Sequence, residues 1–285
     1  MPARPEWPPT RVLAWLYFPV AQRPLLAALC GIESEIAASL APGLDHQVAH
    51  ARLGWWRDEC QRCAQGRPAH PLTRALSSVF ASGDLAPLAG LTGLVDAAMW
   101  DLAAATFDTH RELRAYCERW SVALIEPLMR FALPGIAADR CHELGGALRE
   151  LEMLNALAHD ARAGRLRLPL DELARAHASP EALAQPPWGA ELAALVRERH
   201  RQVRAALAAS VGALARHEQA ALRGLLVWAA LACSHSRRAQ RALPGALITG
   251  EHHAPLDAWR AWRAARRADA GRFALAADYE RRLVA

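Results

Sequence analysis

This chain is short of β-branched side chains, of cysteine and of long apolar runs, and each shortage removes a class of protein. Sparse β-branched residues argue against an extensive sheet. The six cysteines among 285 residues (Cys30, Cys60, Cys63, Cys117, Cys141 and Cys233) are scattered through helical patterns and show no disulfide framework. The segment Met1 to Pro9 is proline-rich and has neither the basic nor the apolar stretch of a secretory leader. Reduced thiols in a cytoplasmic protein are therefore expected. No stretch of about 18 uninterrupted apolar residues is found, so no membrane-spanning helix is expected. The net charge of +5 lacks the dense basic stripe that would point to nucleic acid. Cys60 and Cys63 have the spacing of half a zinc site, but no second pair follows, and on a helix they are merely i, i+3 neighbours. Ser234-His235-Ser236 and His252-His253 read as loop or helix-end residues, and no nucleophilic triad is expected of them.

What is present is a helix-forming composition. Hydrophobic residues make up 53% and charged residues 22%, enough for a core and a solvated coat. Alanine and leucine fill long stretches, with glutamate and arginine as their charged partners, all of them strong helix formers. Apolar periodicity and breakers mark helices over 22–40, 44–64, 71–80, 85–104, 108–131, 137–163, 171–177, 190–214, 217–239 and 256–267. No linker is long or polar enough to demand a boundary, so 1–285 is expected to be one helical domain. Residues 1–10 form a proline-rich lead and 268–285 a polar tail.

The basic excess gathers near the C-terminus. In the run from Trp259 to Arg267, Trp259 and Trp262 lie at i, i+3 on one face with Arg263 and other arginines around them. Two readings stay open: a helix lying on an anionic membrane surface, or a terminal helix packing its indoles on the domain.

Two segments carry more information. One is Leu53-Gly54-Trp55-Trp56-Arg57-Asp58-Glu59. The other runs from Leu144-Gly145-Gly146 to His159-Asp160-Ala161-Arg162-Ala163-Gly164-Arg165-Leu166-Arg167-Leu168-Pro169. Together, in this order, they resemble the squalene/phytoene synthase family, best over residues 11 to 180. The resemblance implies an all-α isoprenoid synthase fold with helices around a central cavity. It also implies magnesium-dependent head-to-head condensation of two prenyl diphosphates. In that chemistry, acids four residues apart on facing helices hold magnesium against the departing diphosphate, and apolar walls shield the allylic cation.

The acidic motifs are largely gone. At the second motif the matching positions are Ala156 and Asp160, so one carboxylate of two remains, preceded by Asn155. At the first, the segment Cys30 to Ser39 has no aspartate, and Ala37 and Ala38 stand where the family has acids. Glu35 is the candidate remnant. The candidate metal or diphosphate residues are thus Glu35, Glu152, Asp160 and Arg165, with Glu33 a further acid nearby. Glu152 and Asp160 share a face if their helix is regular. Trp120 and Leu124, where the family has small residues beside the substrate, would narrow the cavity, which Ala156 is also expected to line. Of Trp55 and Trp56, one is expected to be buried and the other to flank it, with Arg57 bridging to an acid. The leading expectation is a degenerate member, a pseudoenzyme that binds a prenyl group or lipid or serves as an assembly factor for a protein partner, in the cytoplasm or at the membrane periphery. The rival is an active magnesium-dependent prenyltransferase. A purely structural subunit with a collapsed cavity is the third reading.

Overall fold

A computed structural model of the chain describes residues 7–41, 43–80, 85–245 and 254–275. Within these there are helices and connecting turns and no strand. The all-α expectation therefore holds, although several of the expected long helices are divided.

The first helix was not expected. Residues 1–10 read as a proline-rich lead, yet α1 (Pro9–Trp15) begins at Pro9. Proline at a first helical position gives up an N–H that would have no intrahelical partner anyway. Next, α2 (Arg23–Ala37) buries Leu25, Leu26, Leu29, Ile32 and Ile36, an i, i+3/i+4 stripe facing the core. Asp45 caps α3 (His46–Ala64) by accepting from the backbone N–H groups of Gln47 and Val48 at 2.8 and 3.2 Å. At the start of α4 (Pro71–Val79), His70 Nδ1 accepts from Leu72 N–H.

The turn between α3 and α4 is held by Glu59, which is fully buried. Its carboxylate accepts from the backbone N–H groups of Ala69 and His70, each at 2.8 Å, and from Thr73 Oγ1 and Arg62. Burial alone would raise its pKa, but these donors outweigh it and bring it down to about 2. In the same motif Trp56 is buried, Trp55 is exposed and meets Trp56 edge-on, and Arg57 reaches Asp96 at 2.7 Å.

After α5 (Thr92–Leu102), the expected helix over 108–131 is divided into α6 (His110–Trp120), a π-helical turn (Ser121–Ile125) and α7 (Glu126–Ala132). The cause lies in Pro127, which has no N–H to offer the Ala123 carbonyl and whose ring crowds it. The expected helix over 137–163 also divides. It forms α8 (Ala138–Asn155) and α9 (Leu157–Arg162), with Ala156 out of helical geometry at φ −105° and ψ 10°. The short α10 (Leu170–Arg175) leads to the long α11 (Ala190–Gly212), then α12 (Arg216–Ala221), α13 (Arg223–Ala242) and α14 (Ala254–Asp269). The polar tail expected over 268–285 thus begins inside α14, and residues 276–285 lie outside the described residues, as does the His252-His253 pair.

Helix α8 is the hub, packing on α6, α11, α13 and the π turn, while α13 packs on α1 and α14. Gly145 makes the approach of α8 to the π turn close: a Cβ there would lie 2.0 Å from Ser121 Oγ and 2.9 Å from Ile125 Cβ. Among the described residues, no helix is long and apolar enough to cross a membrane.

Candidate functional site

Five helices deliver side chains to one point in the interior. Arg11 of α1, nearly fully buried, pairs with Glu33 of α2 and with Glu152 of α8, the latter at 3.0 Å. Arg149, one turn before Glu152, stands 3.8 Å from Glu33 and 3.7 Å from Glu152. Two indoles complete the carboxylates' bonding. Trp120 at the end of α6 donates its Nε1–H to Glu33 at 2.7 Å, and Trp228 of α13 donates to Glu152 at 2.8 Å. The Arg11 guanidinium lies 4.7 Å from the Trp228 ring and 5.5 Å from the Trp120 ring, and these rings meet edge-on. Such contacts over aromatic faces favour the cation further.

The charges balance, with two carboxylates against two guanidiniums. Burial pulls the Arg11 pKa down, but the charges of Glu152 and Glu33 outweigh it, and the guanidinium is held protonated. Burial would likewise raise the Glu33 carboxyl. The charges of Arg11 and Arg149, and hydrogen bonds from Arg11 and Trp120, hold it instead below the usual carboxylate range.

A second balanced cluster surrounds Asp160. Arg165 donates to one of its oxygens at 2.8 Å and Arg167 to the other at 3.1 Å. Arg167 also makes a bidentate pair with Asp101, both contacts at 2.7 Å, and donates to the Tyr116 hydroxyl at 3.3 Å. Desolvation opposes ionisation of Asp160, and the two arginines more than offset it, lowering its pKa.

The candidate residues are therefore distributed as follows. Glu33, not Glu35, enters the central cluster; Glu35 is exposed. The helix carrying Glu152 and Asp160 is irregular at Ala156, and the two acids bond to different partners, Glu152 to Arg11 and Trp228 and Asp160 to Arg165 and Arg167. Arg165 is bound to Asp160. Trp120 and Leu124 are buried in the core, Leu124 within the π turn. Ala156 borders a small cavity of about 20 Å³ with His159, Trp188 and His200. The sequence reading missed Arg11, Arg149, Trp228 and Asp101. For Arg11 a signal was available: Pro8-Pro9 ahead of an apolar run marks a helix start, and an arginine within that run needs a buried partner.

These donors do not suit a magnesium cluster. Each inward carboxylate is already bonded to a guanidinium, whereas magnesium demands several free oxygen ligands in octahedral array. Among the described residues, no group of three or more His, Cys, Asp or Glu is arranged to hold a metal ion. Cys60 and Cys63 are buried thiols raised to about 12, by burial first.

The squalene/phytoene synthase model matches residues 9–261, spanning α1 through the middle of α14. The chain belongs to the squalene/phytoene synthase family. A phytoene synthase of Rhodobacter capsulatus is 28% identical over 166 residues, which cover 57% of this chain and 48% of that protein. The match thus spans about half the length of the curated relative. A dehydrosqualene synthase solved in complex with ligand superposes with a TM-score of 0.72 at 17% identity, covering 91% of this chain and 90% of the other. Squalene synthase HpnC from Alicyclobacillus acidocaldarius gives 0.62 at 19% identity, over 80% and 87% of the two chains. At those identities the likeness is one of fold, and the isoprenoid synthase fold expected from the two motifs is the fold observed. This family member places Arg11 and Arg149 against the acids that α2 and α8 present to each other.

Proposed function

We propose that this family member does not condense prenyl diphosphates and works through its surface, as a binding or assembly protein at the periphery of a membrane. One observation carries the reading: Arg11 lies between Glu33 and Glu152 and between the rings of Trp120 and Trp228. Ionising an allylic diphosphate requires a strong counter-charge for the leaving group, supplied in the family's chemistry by magnesium on hard oxygen ligands. Here the inward acids are neutralised by internal guanidiniums, and indole rings take up the space around them.

An active magnesium-dependent prenyltransferase is the second reading. In its favour, Glu33 and Glu152 approach one another from facing helices, as paired metal-binding acids would. A turnover assay separates the two. The purified chain is incubated with magnesium and farnesyl or geranylgeranyl diphosphate, with and without NADPH, and diphosphate release and extracted hydrocarbon are measured. The expected outcome is no release above the protein-free control, from protein shown by circular dichroism to be helical. Turnover that disappears in Glu33→Gln or Glu152→Gln would overturn the proposal in favour of the enzyme.

A further inference from the structure

All 34 basic residues of the Lys plus Arg count are arginine, and six of them line one cleft of about 310 Å³ between α13 and α14. They are Arg237, Arg238 and Arg241 from α13 and Arg260, Arg263 and Arg267 from α14, and among the described residues no carboxylate lines the cleft with them. Behind its wall, Asp257 is buried and already committed. It pairs with Arg238 through both oxygens at 3.0 and 3.1 Å, with Arg260 at 3.1 Å and with His235 at 3.1 Å. Burial opposes its ionisation, but the hydrogen bonds from Arg238 and His235 bring its pKa to about 2. Asp257 thus fixes the two arginines nearest to it, and among the described residues no acid pairs with Arg241, Arg263 or Arg267.

The outward face of α14 continues this chemistry. On a helical wheel Ala261, Ala264, Ala265 and Ala268 fall on the buried side. The opposite side carries Leu256, Trp259 and Trp262, each 51% exposed, interleaved with Arg263, Arg266 and Arg267. Arg263 lies over the Trp259 ring at 4.4 Å and Arg266 over Trp262 at 5.6 Å. A sequence that merely packed its indoles on the domain would have turned them inward. Three further exposed apolar side chains, Val12, Leu16 and Val20, lie on α1 or just after it, and α1 touches α14.

We propose that the α13–α14 cleft is a binding site for the phosphate headgroup of an anionic membrane phospholipid, with Arg241, Arg263 and Arg267 as its ligands and Trp259 and Trp262 entering the interface beside it. Guanidinium forks match phosphate oxygens in bidentate geometry. Indoles favour the headgroup level, where an apolar ring and a polar edge are both satisfied. The combination commits the site to a phosphate borne on a lipid, since a free anion would have no use for exposed indoles. The assignment refines the surface role proposed above and rests on it only for its biological purpose; the binding is read separately from turnover.

The test is co-sedimentation of the full chain with two kinds of vesicle. One is phosphatidylcholine alone and the other contains about a third phosphatidylglycerol, with inorganic diphosphate titrated in parallel by calorimetry. Binding is expected to the anionic vesicles only, and to weaken with salt. The triple variant R241Q/R263Q/R267Q is expected to bind about a hundredfold more weakly, given the contribution of each basic residue at an anionic surface. The variant W259A/W262A should weaken binding and abolish the blue shift of tryptophan emission on vesicle addition. Circular dichroism checks that both variants remain helical. No anionic preference, or vesicle binding unchanged in the triple variant, would overturn the proposal. So would saturable diphosphate binding at these arginines without vesicle binding, which would make it a site for a soluble phosphate. If turnover is found in the prenyl diphosphate assay, the role assigned to the fold fails while the vesicle result stands; if the vesicles fail, the converse holds.

Discussion

Removing the Arg11 side chain would leave Glu33 and Glu152 facing one another in the interior, with Arg149 at 3.7–3.8 Å as their remaining counter-charge. A stranded buried charge costs far more than the pair contributes. Arg11→Ala is therefore expected to destabilise the fold by about 3–5 kcal/mol, measured by urea unfolding. Adding Glu33→Gln should restore part of that loss by removing one of the stranded carboxylates; a purely additive double variant would contradict the charge argument. At this scale the sequence was only partly legible. Glu33 follows Leu26 by seven residues and Leu29 by four, the spacing of a shared helix face, so its inward direction could be read, whereas Glu35 falls off the buried stripe. Which guanidinium would meet Glu33 could not be read, because Arg11 is brought there by the packing of α1 on α13.

At the scale of elements, the close approach of α8 to the π turn makes a defined demand. Alanine has a higher helix propensity than glycine by about 1 kcal/mol, so propensity alone predicts that Gly145→Ala stabilises α8. The contact says otherwise, since the new Cβ would sit 2.0 Å from Ser121 Oγ and 2.8 Å from Ser121 Cβ. Overpacking is expected to win, with a net loss of about 1–3 kcal/mol; a thermal midpoint at or above that of the parent would refute it. The positions of helices were legible from periodicity and breakers, but their continuity was not. Pro127 signals a disturbance, yet a π turn is only one of the ways a chain can absorb it. The break at Ala156 has no breaker residue at all. It coincides with Asn155 donating its side-chain N–H to the Ala232 carbonyl of α13 at 3.2 Å, a tertiary contact.

For the whole molecule, stability should fall in two stages as pH is lowered. His200 is buried against Ser236, and burial first, then the charge of Arg204, pushes its pKa from the usual 6.5 to about 4. A folded pKa below the unfolded one means that the unfolded chain binds more protons over this window. Stability is thus full above pH 6.5 and declines as pH falls towards 4, by up to ~3 kcal/mol. Glu59 and Asp257, both lowered to about 2, act in the second stage: their contribution is present above the ordinary carboxylate range and is lost as pH falls from there towards 2. Thermal midpoints measured across this range should show both limbs, and His200→Gln should abolish the upper one while leaving the lower.

The helix-rich composition, the periodicity and the two quoted motifs were enough to determine an all-α fold of this family, because burying an apolar stripe and capping a helix are local requirements written every three or four residues. The same string showed that most motif acids were missing. It did not show what the remaining acids do, because a carboxylate's role depends on which cation reaches it. Arg11 lies 22 residues from Glu33 and 141 from Glu152, and only the packing of α1, α2, α8 and α13 brings them together. The same holds for the six arginines of the α13–α14 cleft: their number is visible in the chain, but their convergence, with Asp257 turned inward onto Arg238 and Arg260, is decided by tertiary structure alone.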